Sequence, residues 1–351
     1  MNICAMIADP HFGAQQNSDV MLNNQECYYY NEFLPSIIEK GIKEIVILGD
    51  VFETRSSVNV KIMNAVYKFF DSLRDFRVIV LVGNHDSYLE SSLKYHSLKF
   101  LSNYDNVTLI DKCQEITLCE NVPFFAIPWV TNAEEFEQEF SKAAQKYCVG
   151  HLAMVGFKIN SVYTSDFGFP VEKFRDKFDK TFSGHFHKRS EKPDTNVVYV
   201  GSPYQLKRED RGNDNGYMAV WFENNVLKYE FVNAKNTIKF IKIKYPEIPS
   251  EIDVKNNIID IDISYSDSLE NDKINEYMKV INSMKPASNP NINIVGSLNV
   301  TANDQLSSSN FSNSSELINE YVNSISIEDK NLPKVLGLMN ELYEENRTGE
   351  I

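Results

Sequence analysis

The chain has little of what would mark a membrane protein, a disulfide scaffold or a polyanion-coating surface. It has no apolar run as long as a membrane span, and no basic leader precedes the apolar stretch 2–7. Its five cysteines are odd in number and lack CxxC spacing, and Cys4 and Cys148 lie in apolar runs that predict buried, reduced thiols. The net charge of −14 argues against general binding of polyanions, although a local basic patch or bound cations can reverse it. We therefore expect a soluble, cytoplasmic protein with no membrane contact.

The 351 residues are 42% hydrophobic and 24% charged, which is a globular composition with length for more than one domain. Strands and helices alternate at the start of the chain, which predicts a parallel sheet with right-handed crossovers. A helix is predicted over 24–40, with a kink or break at Pro35, and another over 59–74. The first three strands are predicted at 2–7, 44–48 and 78–81.

The later sequence predicts four successive parts. Short strands continue to about residue 235 and close with an antiparallel pair around 224–225. The next stretch predicts a small α+β domain without histidine, and a Ser/Asn-rich stretch predicts a flexible linker before two final helices. The predicted boundaries are 1–235, 236–300, 301–315 and 316–351.

Only six histidines occur, and five of them fall at the ends of predicted strands. His96 alone lies within a helical pattern. A single histidine is as often a satisfied core residue as a ligand, but five at strand ends beside acidic residues are unexpected without a shared site. The five are His11, His85, His151, His185 and His187, and the polar residues beside them are Asp9, Asp50, Asn84 and Asp86.

These residue types indicate two metal ions. Alternation along an extended chain would bring Asp9 and His11 to one face, and the pair His185 and His187 repeats that spacing. Asp50 can offer one carboxylate oxygen to each ion, while Asn84 and His151 add further ligands. Imidazole with carboxylate and amide oxygen suits manganese, iron or zinc and disfavours calcium. Two such cations stabilise displacement at phosphorus.

Five short motifs, in order and spacing, resemble the signature of the calcineurin-like metallophosphoesterases over roughly 1–235. They are Asp9-x-His11, Gly49-Asp50, Gly83-Asn84-His85-Asp86, Gly150-His151 and Gly184-His185-Phe186-His187. The resemblance implies an α/β fold: a two-sheet αββα sandwich with a smaller α+β capping domain and C-terminal helices.

Within that superfamily the chain resembles the SbcD-type DNA-repair nucleases, especially the tailed-phage recombination endonuclease subunits. The segments that carry this likeness are Gly49-Asp50-Val51-Phe52, Ile127-Pro128-Trp129, Cys148-Val149-Gly150-His151 and Gly201-Ser202-Pro203. The likeness implies a DNA endo/exonuclease subunit of a recombination and double-strand-break repair complex. Its expected partners are DNA and an SbcC-like coiled-coil ATPase that binds the C-terminal helices, in a heterotetramer containing a homodimer of this chain.

The resemblance also implies residue roles. Asp9, His11 and His187 would hold the first ion, Asn84, His151 and His185 the second, and Asp50 would bridge them. His85 would act on the transition state or protonate the leaving oxygen. Asp86 would orient that imidazole or, as we favour, shape the turn. The cofactor would be two divalent cations, with Mn²⁺ expected first and Mg²⁺, Fe²⁺ or Zn²⁺ as alternatives.

One position departs from this pattern, because many family members carry histidine where this chain has Glu53, which leaves the balance of exo- and endonuclease activity open. Arg55, Lys188 and Arg189 are candidate phosphate contacts, with an ordinary solvated surface as the equal alternative for each.

Two rival functions remain. A phosphatase or small-molecule phosphodiesterase would use the same ions, although residues 50–55 lack the Asp-Arg-Gly of Ser/Thr protein phosphatases. A structural subunit without catalysis is disfavoured by the complete ligand set.

Overall fold

The computed structural model describes residues 2–89, 91–159, 163–264 and 271–295. The chain divides into two units, Met1–Gly296 and Ser297–Ile351. The predicted linker and C-terminal helices (301–315 and 316–351) lie outside the described residues. Within the described ranges, no helix is both long enough and apolar enough to cross a membrane.

Seventeen strands are formed by the described residues. They are β1 (Cys4–Ile7), β2 (Glu44–Ile47), β3 (Arg77–Leu81), β4 (Ser87–Leu89), β5 (Ser92–His96), β6 (Val107–Ile110), β7 (Gln114–Leu118), β8 (Val122–Ile127), β9 (Tyr147–His151), β10 (Lys180–Gly184), β11 (Ser190–Lys192), β12 (Val197–Tyr199), β13 (Gly216–Glu223), β14 (Val226–Asn233), β15 (Phe240–Lys244), β16 (Ile258–Ser264) and β17 (Asn291–Val295).

Two six-stranded sheets form the body of the protein. The first has the order β14-β13-β1-β2-β3-β6, in which β1, β2, β3 and β6 are parallel and the β13–β14 hairpin adds antiparallel to β1. The second has the order β11-β12-β10-β9-β8-β7, with a parallel centre of β8, β9, β10 and β12. The predicted parallel strands and the closing hairpin are therefore confirmed.

The sheets pack face to face because successive strand residues point to opposite sides. Cys4 and Met6 of β1 face the second sheet and share a core with Val149 and Phe182. The alternate residues of β1 face the helices beside the first sheet, and the second sheet has its own helical layer. Both faces of β1 are therefore buried. The expected αββα sandwich is confirmed.

The helices lie between and beside these strands. Their bounds are Asp19–Tyr28, Leu34–Glu39, Val60–Ser72, Ala133–Lys142, Val171–Arg175, Glu251–Val254 and Asn271–Ser283, with 3₁₀ turns at Ser97–Asn103, Pro193–Thr195 and Arg208–Asp210 and a short non-helical turn at Ala14–Asn17.

The first long helix begins earlier than the sequence predicts and contains an irregular turn. Ser18 caps it, with its hydroxyl accepting from the Met21 N–H. A π-helical turn, Tyr29–Phe33, joins its two α-helical pieces just before Pro35. Proline has no N–H to donate to the preceding turn, so a break in the regular ladder at this point is expected.

The segment after His85 differs from the sequence expectation. The structure has the antiparallel hairpin β4–β5 here, followed by a 3₁₀ turn, where a helical pattern was predicted. His96 therefore ends a strand and does not lie inside a helix. The hairpin forms because Ser87 pairs with His96 and its hydroxyl donates to the backbone oxygens of Leu89 and Ser92.

The small α+β region carries a three-stranded parallel sheet, β15-β16-β17, with the helix Asn271–Ser283 on it. Its first strand begins at Phe240. Asp260 in β16 is buried and receives hydrogen bonds from Arg208 and Arg211. Charge-assisted contacts therefore tie this sheet to the segment that follows β12.

Candidate metal centre

The carboxyl ends of strands from both sheets meet at one edge of the sandwich. β1, β2 and β3 of the first sheet lead into Asp9, Asp50 and Asn84. β9 ends in His151, and β10 leads into His185. Because parallel strands end at the same edge, residues far apart in sequence converge there. The structure brings together all seven residues predicted as ligands, together with His85.

The backbone at these strand ends is not extended. Asp9, His11 and Asp50 have φ of 52°, 45° and 53°, and His185 has φ of 89°. The prediction that alternation on an extended chain places Asp9 and His11 on one face is therefore wrong. Left-handed residues turn the chain instead, and the His11 N–H donates to the Asp50 backbone oxygen at 2.9 Å. Such strained backbone is common at functional sites.

The first group of ligand atoms surrounds His11. Its Nε2 lies 3.2 Å from Nε2 of His187 and 3.6 Å from Oδ2 of Asp50, and Asp9 offers a further carboxylate oxygen within 4.8 Å. Two imidazole nitrogens facing each other require a proton or a cation between them. This donor set fits a divalent cation with mixed nitrogen and oxygen ligands.

The second group surrounds Asn84. Its Oδ1 lies 2.9 Å from Nε2 of His151 and 2.9 Å from Nδ1 of His185. Oδ2 of Asp50 lies 3.3 Å from the same His151 nitrogen, so Asp50 belongs to both groups. The indole of Trp129 covers this side, with its ring centre 5.2 Å from that of His185. The donor set again fits a cation, and Asp50 is the one carboxylate that would serve both groups.

The pKa shifts follow from crowding buried charges. Burial alone would lower the pKa of His11, but Glu53 and Asp50 raise it to about 9. Burial would also lower the pKa of His151, which Asp50 and Asp9 raise to about 9. Burial outweighs the attraction of His151 and raises the pKa of Asp9. Without cations, protons on the two imidazoles balance the carboxylates, and cations would take over that task.

His185 differs from these two histidines. Burial and the neighbouring His151 lower the pKa of His185 to about 3. The imidazole is therefore neutral across the physiological range, which is the protonation state that a metal ligand needs.

His85 lies beside both groups without belonging to either histidine pair. Its backbone N–H donates to Oδ1 of Asp50 at 2.8 Å, and its Nδ1 lies 2.7 Å from the Glu53 backbone oxygen. It lines a cavity of about 320 Å³ together with His11, Asp50 and Lys207. Burial lowers the pKa of His85. A ring held through Nδ1 leaves Nε2 for proton transfer to a substrate in this cavity.

Asp86 holds the turn together. Its Oδ1 accepts from the Phe52 N–H and its Oδ2 accepts from the Gly83 N–H, both at 3.0 Å. Burial and the charge of Asp50 raise its pKa to about 7. Both of these bonds run to backbone N–H groups of the turn and neither runs to His85. The hydrogen bonds of Asp86 therefore support the turn-shaping role.

Two glycines allow the close approach of these loops. A Cβ on Gly83 would lie 2.1 Å from Oδ1 of Asp50. A Cβ on Gly49, whose φ is +95°, would lie 2.4 Å from Nδ1 of His151. Both positions require glycine because any side chain would occupy the space of a ligand residue.

The three candidate phosphate contacts have different surroundings. The Arg55 Nε donates to the Asn84 backbone oxygen at 2.9 Å, next to the second group. Lys188 is half-buried directly after His187. The Arg189 guanidinium lies 3.1 Å from Asp214 and stacks on Phe231 at 3.8 Å. Arg189 is thus engaged on the protein's own surface, and for all three the phosphate contact stays a prediction.

Sequence reasoning missed two acidic residues that lie beside the histidines. Oε2 of Glu53 lies 2.7 Å from Nδ1 of His11, although the sequence showed Glu53 only as a departure from a family pattern. Oδ2 of Asp210 lies 3.4 Å from Nδ1 of His187. Asp210 stands among charged residues in a segment that matches no motif, so no sequence signal marks it.

Comparison with solved structures finds proteins that are similar to this chain. Of three similar solved structures, a hypothetical protein from Pyrococcus horikoshii is 12% identical, with 82% of this chain and 99% of that one covered and a TM-score of 0.36. A protein of unknown function from Aquifex aeolicus is 17% identical, with 43% and 78% covered and a TM-score of 0.25. A 5′-nucleotidase precursor from Thermus thermophilus is 12% identical, with 66% and 54% covered and a TM-score of 0.37.

The comparison with protein families is more decisive. The family described as calcineurin-like phosphoesterase matches residues 4–236, which is the part of the chain that carries both sheets and every residue of the two ligand groups. Members of this family are metal-dependent hydrolases of phosphoesters. The chain belongs to the calcineurin-like phosphoesterase family.

Proposed function

We propose that this phosphoesterase is a DNA nuclease subunit that hydrolyses phosphodiester bonds with two Mn²⁺ ions. The observation that carries the proposal is the surface that begins two residues after His85. The β4–β5 hairpin exposes Tyr88, Leu89 and Tyr95 to solvent by 54%, 50% and 63%. Exposed aromatic side chains beside positively charged side chains are typical of surfaces on which nucleic-acid bases stack.

Positive charge accompanies these rings despite the acidic composition of the chain. The Lys94 Nζ lies 5.1 Å from the centre of the Tyr95 ring. Arg55 lines a cavity of about 400 Å³ together with Tyr88 and Tyr95. A strand whose phosphate enters the site at His85 would meet aromatic and basic groups next, which supports a polymeric substrate over a small one.

The chain's own residues have distinct tasks in this reaction. Asp9, His11 and His187 would hold one cation, Asn84, His151 and His185 would hold the other, and Asp50 would contribute to both. When bound, the two cations lower the pKa of a water and offset the charge of the phosphate. His85, fixed through its Nδ1, gives a proton to the departing sugar oxygen. Arg55, Lys188 and Arg189 contact the phosphates that flank the cut.

The partner proposal rests on the sequence of the final segment. Residues 316–351 carry an apolar stripe at helical spacing after a Ser/Asn-rich stretch. We infer that they bind an SbcC-like coiled-coil ATPase, and that the assembly contains two copies of this chain. Deleting residues 332–351 should abolish capture by the ATPase while leaving Mn²⁺ binding unchanged, and retained capture would rule this out.

A Mn²⁺-dependent assay on linear and hairpin DNA, with and without the ATPase, tests the nuclease proposal. We expect both substrates to be cut, with His85→Ala inactive although it still binds metal. Hydrolysis confined to phosphopeptides or cyclic nucleotides would instead support the alternative, a metallophosphatase or small-molecule phosphodiesterase. No hydrolysis of any phosphoester by a protein loaded with two ions would indicate a structural subunit.

A further inference from the structure

The two histidines of the first ligand group present the same nitrogen to the site and the same nitrogen to an acid. Their Nε2 atoms face each other across 3.2 Å. On the far side of each ring, Nδ1 faces a carboxylate: Glu53 lies 2.7 Å from His11, and Asp210 lies 3.4 Å from His187. Neither acid is among the residues assigned to hold a cation.

Glu53 is held firmly by the backbone around it. Its N–H donates to the Phe12 backbone oxygen at 3.0 Å, and the Phe12 N–H donates to the Val51 backbone oxygen at 2.8 Å. These bonds join the loops after β1 and β2, so the acid and His11 keep their relative positions. The backbone oxygen of Glu53 contacts His85 at 2.7 Å, whereas only its side chain contacts His11.

Asp210 is fixed in the same way from the other side. It is fully buried, and its Oδ2 accepts from the N–H groups of Leu206 and Lys207 at 2.9 and 3.2 Å. The residues around it, Arg208 and Arg211, are tied to Asp260 of the small sheet. The carboxylate that faces His187 therefore has little freedom to turn away.

The second group is supported differently. The Nδ1 of His151 lies 2.7 Å from the neutral backbone oxygen of Leu48, and the carboxylate oxygen Oδ1 of Asp9 is farther away, at 3.9 Å. A carboxylate behind an imidazole fixes its tautomer and orientation and makes it a better donor to a metal than a neutral oxygen does. The two groups thus differ in how strongly their histidines are supported.

We propose that Glu53 and Asp210 are positioning residues for the first cation, keeping the Nε2 lone pairs of His11 and His187 turned into the site. Removing either negative charge weakens binding of the first cation and leaves binding of the second nearly unchanged. The expected loss is about 10- to 100-fold in affinity for one ion. The inference rests on the metal-dependent hydrolysis of the family and does not depend on DNA being the substrate.

The test is Mn²⁺ titration of the full chain after removal of metals by a chelator, with free Mn²⁺ followed by electron paramagnetic resonance. We expect two ions in the unchanged protein. In Glu53→Gln and Asp210→Asn, the affinity for one ion should fall and the affinity for the other should stay unchanged. Glu209→Gln is the matched control, because it removes one exposed negative charge beside Asp210 and should bind both ions normally.

A second readout uses hydrolysis of bis-p-nitrophenyl phosphate at varied Mn²⁺. Glu53→Gln should need about 10- to 100-fold more Mn²⁺ for half-maximal rate yet keep kcat at saturating metal, since the His85 contact is through the backbone. Glu53→Asp should recover part of the loss. If Asp210→Asn does not fold, Glu53→Gln alone tests the proposal. The Glu53 side chain is 35% exposed, so this substitution should not prevent folding.

Three outcomes would overturn the proposal. Variants that titrate like Glu209→Gln would show that the acids do not support the histidines. Equal weakening of both ions would indicate general loosening of the fold. A third ion in the unchanged protein that Glu53→Gln loses would make Glu53 a ligand itself, with His11 and His85 as its neighbours.

Discussion

The backbone N–H of His85 donates to Oδ1 of Asp50 across 2.8 Å, although 35 positions separate the two residues. The other oxygen of Asp50, Oδ2, lies 3.3 Å from His151 and 3.6 Å from His11. One oxygen therefore orients the loop that carries His85, while the other reaches both ligand groups. This division of tasks within one carboxylate makes the two functions separable by mutation.

Asp50→Asn should keep the loop in place and lose the cations. The amide oxygen can still accept from the His85 N–H, but the charge shared by both groups is gone. We expect Mn²⁺ stoichiometry to fall from two to below one and hydrolysis to fall more than about 100-fold. Asp50→Ala should in addition displace His85. Wild-type binding of two ions by Asp50→Asn would contradict the bridging role.

His85→Gln should separate proton transfer from metal binding. If His85 protonates the leaving oxygen, hydrolysis of DNA should fall about 10²- to 10⁴-fold, because the sugar alkoxide is a poor leaving group. Bis-p-nitrophenyl phosphate, whose leaving group needs little protonation, should lose much less. Mn²⁺ binding measured by calorimetry should stay unchanged. Equal losses on both substrates would argue for stabilisation of the phosphate instead.

Asp86→Ala should destabilise the fold, because it strips acceptors from the buried N–H groups of Phe52 and Gly83. We expect the free energy of unfolding to fall by about 2–4 kcal/mol, measured by urea denaturation with a chelator present. Asp86→Asn keeps one acceptor oxygen and should lose less. A change below about 1 kcal/mol for the alanine variant would show that water replaces the carboxylate.

Gly83→Ala should disable the site through a steric clash with the Asp50 carboxylate. We expect loss of Mn²⁺ binding together with hydrolysis. Gly41→Ala is the control: Gly41 has φ of +67°, and no atom of the described residues lies within 4 Å of its added Cβ, so the substitution should cost about 1 kcal/mol and keep both ions. Normal metal binding by Gly83→Ala would mean that the two loops can separate without consequence.

His96 should make stability depend on pH. The pKa of His96 is below the ordinary 6.5, chiefly because the side chain is buried. The charge of Asp111 opposes this shift and the charge of Lys99 adds to it. As the pH falls, the unfolded chain takes up the proton first, so the stability present above pH 6.5 is lost as the pH falls through the lower pKa of the folded state.

The free energy of unfolding of metal-free protein, measured by urea between pH 7.5 and pH 5, checks this effect of His96. His96→Gln should show a shallower fall than the unchanged protein. Identical slopes would contradict the assignment.

The sequence by itself determined the parallel strands of the first sheet and the polar residues that gather at their ends, whereas the two-sheet sandwich was implied by the family resemblance. Short β-branched runs such as β3 form strands in any context that buries them, and polar residues placed directly after parallel strands must meet at one sheet edge. These inferences use only local pattern and topology. They hold because burial of alternating apolar faces leaves the chain few other arrangements.

Local backbone irregularities could not be predicted from the sequence because they depend on contacts with other segments of the chain. The left-handed turns at Asp9 and His11 are stabilised by hydrogen bonds to the loop after β2, which period-two reasoning cannot anticipate. The hairpin after His85 likewise formed where an apolar spacing resembled a helix. His96 changed its assignment for this reason.

What only the tertiary structure decided is which acid lies beside which histidine. The sequence marked Asp86 and Glu53 without their partners and gave no sign of Asp210 at all. Their tasks depend on distances of about 3 Å between atoms on separate loops, and the chain sets such distances only when both sheets have packed. Sequence pattern specifies which residues reach the site, and the packing of the two sheets specifies what each residue contacts there.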